Sequence, residues 1–466
     1  MVMLAPADLA VISIYFVFLL YFAYLTRRNK TFNEFAVAKH SVPTILVFAS
    51  LATTIVGPGF SIGFTSKAWS SGYLYYYLVI PYAAQVILVG IFLAPKLSQY
   101  RDCRSLGDVM RKKYGAFAQV LTGLISVGLC IGFAAVMGKI GGSTLRDIAG
   151  WPLGISIAVI TGATALVTFS GGLRATIATE SLQFSLKAIV VPILVLVAVM
   201  QLPHPIAVVA QRGDDMSIKA FEGLNFWQIL GISLSFMLGE ALIPPYANRA
   251  LAAKTGEASR GGFILAGLFC LVWLAMVAFL GVVAHSYLPQ TTSGDDVFVD
   301  IGRTLLPSGV FGLLLATIIA LIMSSQESVL NSAAVAFTSD ILAPIAKVSD
   351  RFNLIAAKVA TLISAGVAIY AAQFSPSIID GLLILYSVWA PTIIVPLVAG
   401  LFIERTRPLA GWFSIIAGGG SSILWQNMAT GTHAVPAILI GLIAAFAAYV
   451  GGHALGRPIQ KLEAIQ

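Results

Sequence analysis

The chain has 466 residues, 58% of them hydrophobic and only 10% charged, with a formal net charge of +8. Soluble domains carry about 25% charged residues, so this composition excludes a soluble protein and points to an integral membrane one. The positive excess falls in short segments between apolar runs, which marks one face of a membrane and not a nucleic-acid surface.

A helix needs about 20 apolar residues to cross ~30 Å of hydrocarbon. Thirteen segments are expected to do so: 7–26, 42–66, 72–94, 117–145, 151–170, 174–201, 226–248, 262–285, 309–342, 354–373, 378–402, 411–429 and 434–454. With the N-terminus outside and the C-terminus inside, the outer side holds Lys67, Arg146, Arg212, Lys219 and Arg303, and most other basic residues fall inside. That asymmetry is what the positive-inside rule demands. Met1 to Asp8 has no positive n-region, and Arg27-Arg28-Asn29-Lys30 follows the first apolar run. The run is therefore expected to stay as a span and not to be cleaved as a signal. The expected location is the plasma (inner) membrane, multi-pass.

In chain order, the second span is interrupted at Gly57-Pro58-Gly59. Proline removes a donor and clashes with the preceding turn, freeing carbonyls that membranes tolerate only beside protein, water or an ion. The break is either a packing kink or part of a site. Tyr73, Tyr75, Tyr76 and Tyr77 open the third span, as an interface belt or as cavity lining. Lys139 lies near the outer end of the fourth and can snorkel. In the sixth, Thr176, Glu180, Gln183 and Lys187 recur on one helix face. Glu180 sits either at the inner headgroups or inside the bundle, and two turns separate it from Lys187, so a direct pair is not expected.

The 202–225 and 286–308 loops are long enough to hold a short helix or act as a lid. The seventh span is interrupted at Gly239-Glu240-Ala241-Leu242-Ile243-Pro244-Pro245-Tyr246. Five helices separate the starts of the two broken spans, which run in opposite directions. Broken spans at matching positions of two opposed halves point to a transporter's central site. Spans 2–6 and 7–11 (42–201 and 226–402) are thus expected to be inverted repeats. Residues 7–26 and 411–454 would be peripheral, all within one domain. The ninth span carries Ser324, Glu327, Ser328 and Asn331 on one face at membrane depth. A carboxylate there costs about 2.5–3.5 kcal/mol on translocon scales and implies an ion, a substrate or a partner.

Cys103, Cys130 and Cys270 are scattered, without metal-ligand spacing, and no phosphate loop or nucleophile–base pattern is present. An enzyme is not expected.

These residues resemble a known family. Gly171-Gly172-Leu173-Arg174-Ala175 followed by Thr179-Glu180 and Gln183 is similar to the signature of the sodium:solute symporter family. Arg249-Ala250-Leu251-Ala252-Ala253-Lys254 resembles its basic motif after the seventh helix. Ser324-Ser325, Asn331-Ser332 and Thr338-Ser339-Asp340 resemble its ninth helix, and Tyr386-Ser387-Val388-Trp389-Ala390-Pro391 its eleventh. The likeness runs in order along nearly the whole chain, and its thirteen-helix layout is closest to the proline-transporter-like branch.

The resemblance implies an all-α membrane protein with a LeuT-type inverted-repeat (5+5) helix bundle, working by alternating access. It implies a Na+ site between the second and ninth spans, formed by the Ser324 and Ser325 hydroxyls with the carbonyls of Ala52, Ile55 and Leu321. Three positions depart from the pattern. Thr54 stands where several members have aspartate, and Glu327 where members with a second sodium site often have a small hydroxyl residue. Glu240 falls four residues before Pro244, where proline transporters carry a substrate-facing aromatic. Glu180, Glu327, Ser328 and Lys187 are candidates for a second ion or for coupling. Thr53, Thr54, Phe60, Tyr76, Glu240, Pro244 and Trp389 are candidates for the substrate site.

The expected function is a sodium-coupled symporter importing a small polar organic solute of the amino acid, amine, sugar or carboxylate class. The alternative is a proton-coupled transporter of the same fold with Glu327, Lys187 or Glu180 as the titrating group. A channel or transporter-like sensor is a third class. The expected partners are the solute, Na+ and the lipid bilayer, without nucleic acid, around a monomer.

Overall fold

The structure, a computed structural model, describes residues 4–26, 31–72, 74–201, 224–289, 294–346, 349–375, 378–428 and 435–456. Several residues singled out by charge or aromaticity lie outside those stretches: Arg27, Arg28, Lys30, Tyr73, Arg212 and Lys219, with nearly all of the 202–225 loop.

Every regular element among the described residues is helical. The chain opens with α1 (Pro6–Thr26), α2 (Phe32–Val37) and α3 (Thr44–Ile55). A π-helical turn, Gly59–Gly63, leads into α4 (Phe64–Ser71). There follow α5 (Leu74–Leu88), the short α6 (Leu106–Tyr114), α7 (Ala116–Ala149) and the 49-residue α8 (Leu153–Gln201). The second half holds α9 (Phe226–Leu238), α10 (Pro244–Ala252), α11 (Gly256–Ala284), α12 (Val297–Leu305) and α13 (Val310–Ala336). It closes with α14 (Asp350–Ala372), α15 (Ile378–Trp389), α16 (Val395–Phe402), α17 (Pro408–Met428) and α18 (Ala437–Leu455).

The breaks fall where backbone chemistry puts them. At Val56-Gly57-Pro58 the axis turns by 57° between α3 and α4. Gly57 is needed there, because a Cβ at this position would stand 2.4 Å from Ser325 Oγ on α13. At 1.5 Å per residue α8 would be ~74 Å long, over twice the hydrocarbon thickness. Gly172 divides it, with φ 52° and ψ −161°, a backbone shape that L side chains rarely adopt. α9 starts on a reciprocal cap between Asn225 and Gln228. It gives way to a turn in which Leu242 has φ 50°, and Pro244-Pro245 then open α10.

Eight helices among the described residues are long and apolar enough to cross a membrane, or nine if the bent α3–α4 pair forms one span. The thirteen segments expected from hydropathy exceed that number. α9 and the Pro6–Phe22 part of α1 are shorter apolar helices, and α8 counts as one continuous element. In the 286–308 loop the expected short helix is α12.

α13 is the centre of the bundle. Of its most apolar stretch 94% is buried, against 28% for α18. α3, α7, α8 and α10 pack around it. The end of α10 is pinned to the start of α3 by a single bridge, in which Val42 N–H donates to Ala252 O at 3.1 Å and Lys254 N–H to Val42 O at 2.8 Å.

Candidate functional site

Among the described residues, two buried polar clusters are built on the interrupted helices.

The first is a charge cluster where α3, α8, α10 and α13 meet. The Arg249 guanidinium, fully buried, donates to Glu180 Oε1 at 2.6 Å, Ser328 Oγ at 2.5 Å, Ser50 Oγ at 2.8 Å and Pro245 O at 2.8 Å. Ser50 and Ser328 each donate a hydroxyl hydrogen bond to the Glu180 carboxylate. Both hydroxyls therefore relay between cation and anion. Thr54 Oγ1 lies 3.3 Å from Glu180 Oε1 and 3.1 Å from Ser328 Oγ. Glu180 is inside the bundle and not at the headgroups, with no solvent exposure.

Two turns along α8, the Lys187 ammonium donates to Thr53 Oγ1 and Ser324 Oγ, both at 2.6 Å, and to Thr53 O at 3.1 Å. It too is fully buried. Ser324 Oγ and Ser325 Oγ both reach Leu321 O, at 3.1 and 3.2 Å, and Ser325 Oγ lies 3.4 Å from Thr54 O. The Ala52 carbonyl accepts from Val56 N–H at 3.0 Å. The stripes on α8 and α13 therefore face each other. Thr179 donates to Glu327 Oε2 at 2.7 Å. Glu327 Oε1, both polar atoms of Asn331, Thr176 Oγ1 and Gln183 Oε1 are buried without a hydrogen-bond partner among the described residues.

The second cluster is an aromatic cage around Glu240 in the α9–α10 turn. Three phenols donate to its carboxylate: Tyr246 at 2.6 Å, Tyr82 of α5, and Tyr386 of α15. Phe60, just past the α3 break, stacks on Tyr82 with centroids 4.2 Å apart, and Phe236 packs on Phe60 and Tyr386. Trp389 Nε1 donates to Ala241 O at 3.2 Å, satisfying a carbonyl that the break releases. None of the ion pairs among the described residues involves Glu240. A separate cavity, bounded by Ile62, Val136, Lys139, Arg303 and Ile378, opens beside the π-helical turn and is not lined by the cage residues.

Phe60, Glu240 and Trp389 thus come together, with Pro244 two residues before Tyr246. Tyr76 does not join them. It is partly exposed and makes an edge contact with Tyr77, while Tyr82 is the third-span tyrosine that enters the cage. Thr53 and Thr54 belong to the charge cluster and not to the cage. Lys139 donates to the Ser375 carbonyl. Sequence reasoning missed the inward role of Arg249, whose signal was an arginine inside an alanine-rich turn, and the three phenols that hold Glu240.

Comparison with known proteins places these features in a wider set. The model of the sodium:solute symporter family matches residues 35–418. The sodium/pantothenate symporter of Escherichia coli is 25% identical, over 91% of each chain. The human sodium/myo-inositol cotransporter is 22% identical over 86% of this chain, and the match spans 63% of that longer protein. Among solved structures, a substrate-bound, outward-open Na+-coupled sialic acid symporter has the same fold. The two superpose with a TM-score of 0.82 at 18% identity, over 98% of this chain and 100% of that one.

Proposed function

The chain belongs to the sodium:solute symporter family, a family of transporters and not of enzymes, and from that premise we propose that it is a sodium-coupled symporter importing a small polar organic solute by alternating access. The observation that carries the proposal is the Glu240 cage. A buried carboxylate holding three phenol donors at a helix break is a receptor for a solute rich in donors. Hydroxyl or ammonium groups of the solute can replace the phenols one for one, with little loss of hydrogen bonding. Myo-inositol and pantothenate, the solutes in the names of two relatives, both bear hydroxyl donors.

The coupling ion we propose is Na+, held by the Ser324 and Ser325 hydroxyls with the carbonyls of Leu321, Ala52 and Ile55. Oxygen donors suit this hard cation, and unwound backbone beside a half-helix is where such transporters hold it. The convergence of Ser324, Ser325 and Leu321 against the α3 break supports the assignment. The further arrangement we propose is thirteen crossings with the N-terminus outside, in a monomer in the plasma membrane. Residues 42–201 and 226–402 form the inverted repeats, and the two broken helices at matching positions support them. Proton coupling through Glu327, Lys187 or Glu180 is the reading that the relatives do not favour.

The test is uptake into proteoliposomes under an inward sodium gradient, with potassium as control, against polyols, amines, amino acids and carboxylates. Sodium-driven accumulation of a donor-rich solute is the expected result. Uptake of every accepted solute at the same rate in potassium overturns sodium coupling.

A further inference from the structure

One of the oxygens that the family likeness assigns to sodium, Ser324 Oγ, already has a lysine amine on it. Lys187 Nζ stands 2.6 Å from Ser324 Oγ, one of the proposed ligands, and also holds Thr53 Oγ1 and Thr53 O in the break-side turn of α3. We propose that the Lys187 ammonium is a tethered cation on this donor set, so that it and sodium exclude each other and the ion enters only as the lysine swings out. The inference rests on the sodium site proposed above.

Two observations carry it besides the contacts. The first is charge. Glu180, Glu327, Lys187 and Arg249 are all fully buried around α13, two of each sign. A sodium ion added beside them leaves one positive charge without a partner, which a buried site resists strongly. Moving the ammonium off Ser324 separates the two cations, which would otherwise share one hydroxyl oxygen. The second is a place for the ammonium to go. Glu327 lies one turn from Ser324 on the same face of α13, and its Oε1 is buried without a partner. It is the acceptor for the displaced lysine. Glu327 would then bind sodium only through Lys187, as a positioning residue.

The experiment is a sodium titration of the purified full-length chain at constant ionic strength, read by thermal stabilisation. Lys187→Met and Lys187→Gln are expected to lower the half-saturating sodium concentration by about tenfold or more, because an intramolecular competitor has been removed. Glu327→Gln is expected to raise it, and to have no such effect in the Lys187→Met background. Unchanged or raised sodium requirement in both lysine variants overturns the exclusion. The proposed function fails separately. If wild-type uptake ignores sodium while Lys187→Met gains a sodium response, exclusion stands and sodium coupling of the native chain falls. If wild-type uptake is sodium-driven and the lysine variants bind sodium as the wild type does, the reverse holds.

Discussion

Replacing Arg249 by methionine removes the only basic partner of Glu180 among the described ion pairs and leaves a carboxylate sealed inside the bundle. The N–O distance of 2.6 Å puts the charge centres about 4 Å apart, worth about 4 kcal/mol at an effective dielectric constant of 20. Removing one member of a buried pair costs roughly 3–5 kcal/mol, since the survivor keeps its desolvation penalty. That is between two and four decades in the unfolding equilibrium, on the scale of ~1.4 kcal/mol per decade. The Ser50 and Ser328 hydroxyls still donate to Glu180 in the variant, which places the expected loss near the lower end. The assay is a double-mutant cycle of Arg249→Met, Glu180→Gln and the double variant, by reversible unfolding in detergent. Because a neutralised pair has no orphan charge, the double variant should recover most of the loss. An Arg249→Met loss below about 1 kcal/mol, or a double variant that loses the sum of the two singles, would refute the argument that the pair is sealed and mutually dependent.

Three further outcomes are expected. Glu240→Gln should weaken solute binding by at least about tenfold, the scale of a hydrogen bond to a charged group, while sodium stabilisation changes little; equal loss of both in equilibrium binding would make Glu240 structural. Gly57→Ala should cost about 1–3 kcal/mol by overpacking against Ser325 Oγ at 2.4 Å. Ser325→Ala in the same chain should restore part of the melting temperature, and no restoration would argue that the strain lies elsewhere. In the α5–α6 connection, the hydrogen bond from Lys112 holds the Asp102 carboxyl below its usual range. Its small stabilisation is then present at neutral pH and fades on acidification. Being exposed, the pair should be worth under ~1 kcal/mol, and melting of Asp102→Asn at neutral and acid pH would show a shift only at neutral pH.

Periodicity made the stripes of α8 and α13 legible, because Thr176, Glu180, Gln183 and Lys187 share a face whatever surrounds them. The break at Pro58 and the one before Pro244 were legible for the same local reason, as backbone chemistry. What a stripe meets is a different matter. Glu180 finds its cation 69 residues later in the sequence, on α10. By sequence, Arg249 counted as an inner-side charge and as part of the basic motif after the seventh helix, and neither reading fixes the direction of its side chain. Tyr82 and Tyr76 illustrate the limit in one helix: both are aromatic and near each other in sequence, and only the packing of α5 against α9 and α11 decides which turns inward. Hydropathy also separated the two halves of α8, yet the number of spans depends on where helices end, which composition fixes poorly.

The placement of both clusters on the same two broken elements is what makes coupling between them a physical statement. α3 contributes Ser50, Thr53 and Thr54 to the charges, and a few residues past its bend the chain contributes Phe60 to the cage. α10 begins beside Glu240 and Tyr246 and ends beside Arg249, within nine residues or ~13 Å. Its far end is tied to the start of α3 by the Val42 bridge, so the short helix cannot adjust at one cluster without straining the other. A solute that displaces the Tyr246 phenol from Glu240 shifts the start of α10, and an ion that disturbs Ser324 shifts its partners on α3. Each ligand then needs only a preference for the same tilt of these two elements to favour the other's binding. Since that preference is reciprocal, a variant that loosens the Val42 bridge should weaken the effect of sodium on solute affinity and of solute on sodium affinity by the same factor, while leaving each ligand's own donors in place.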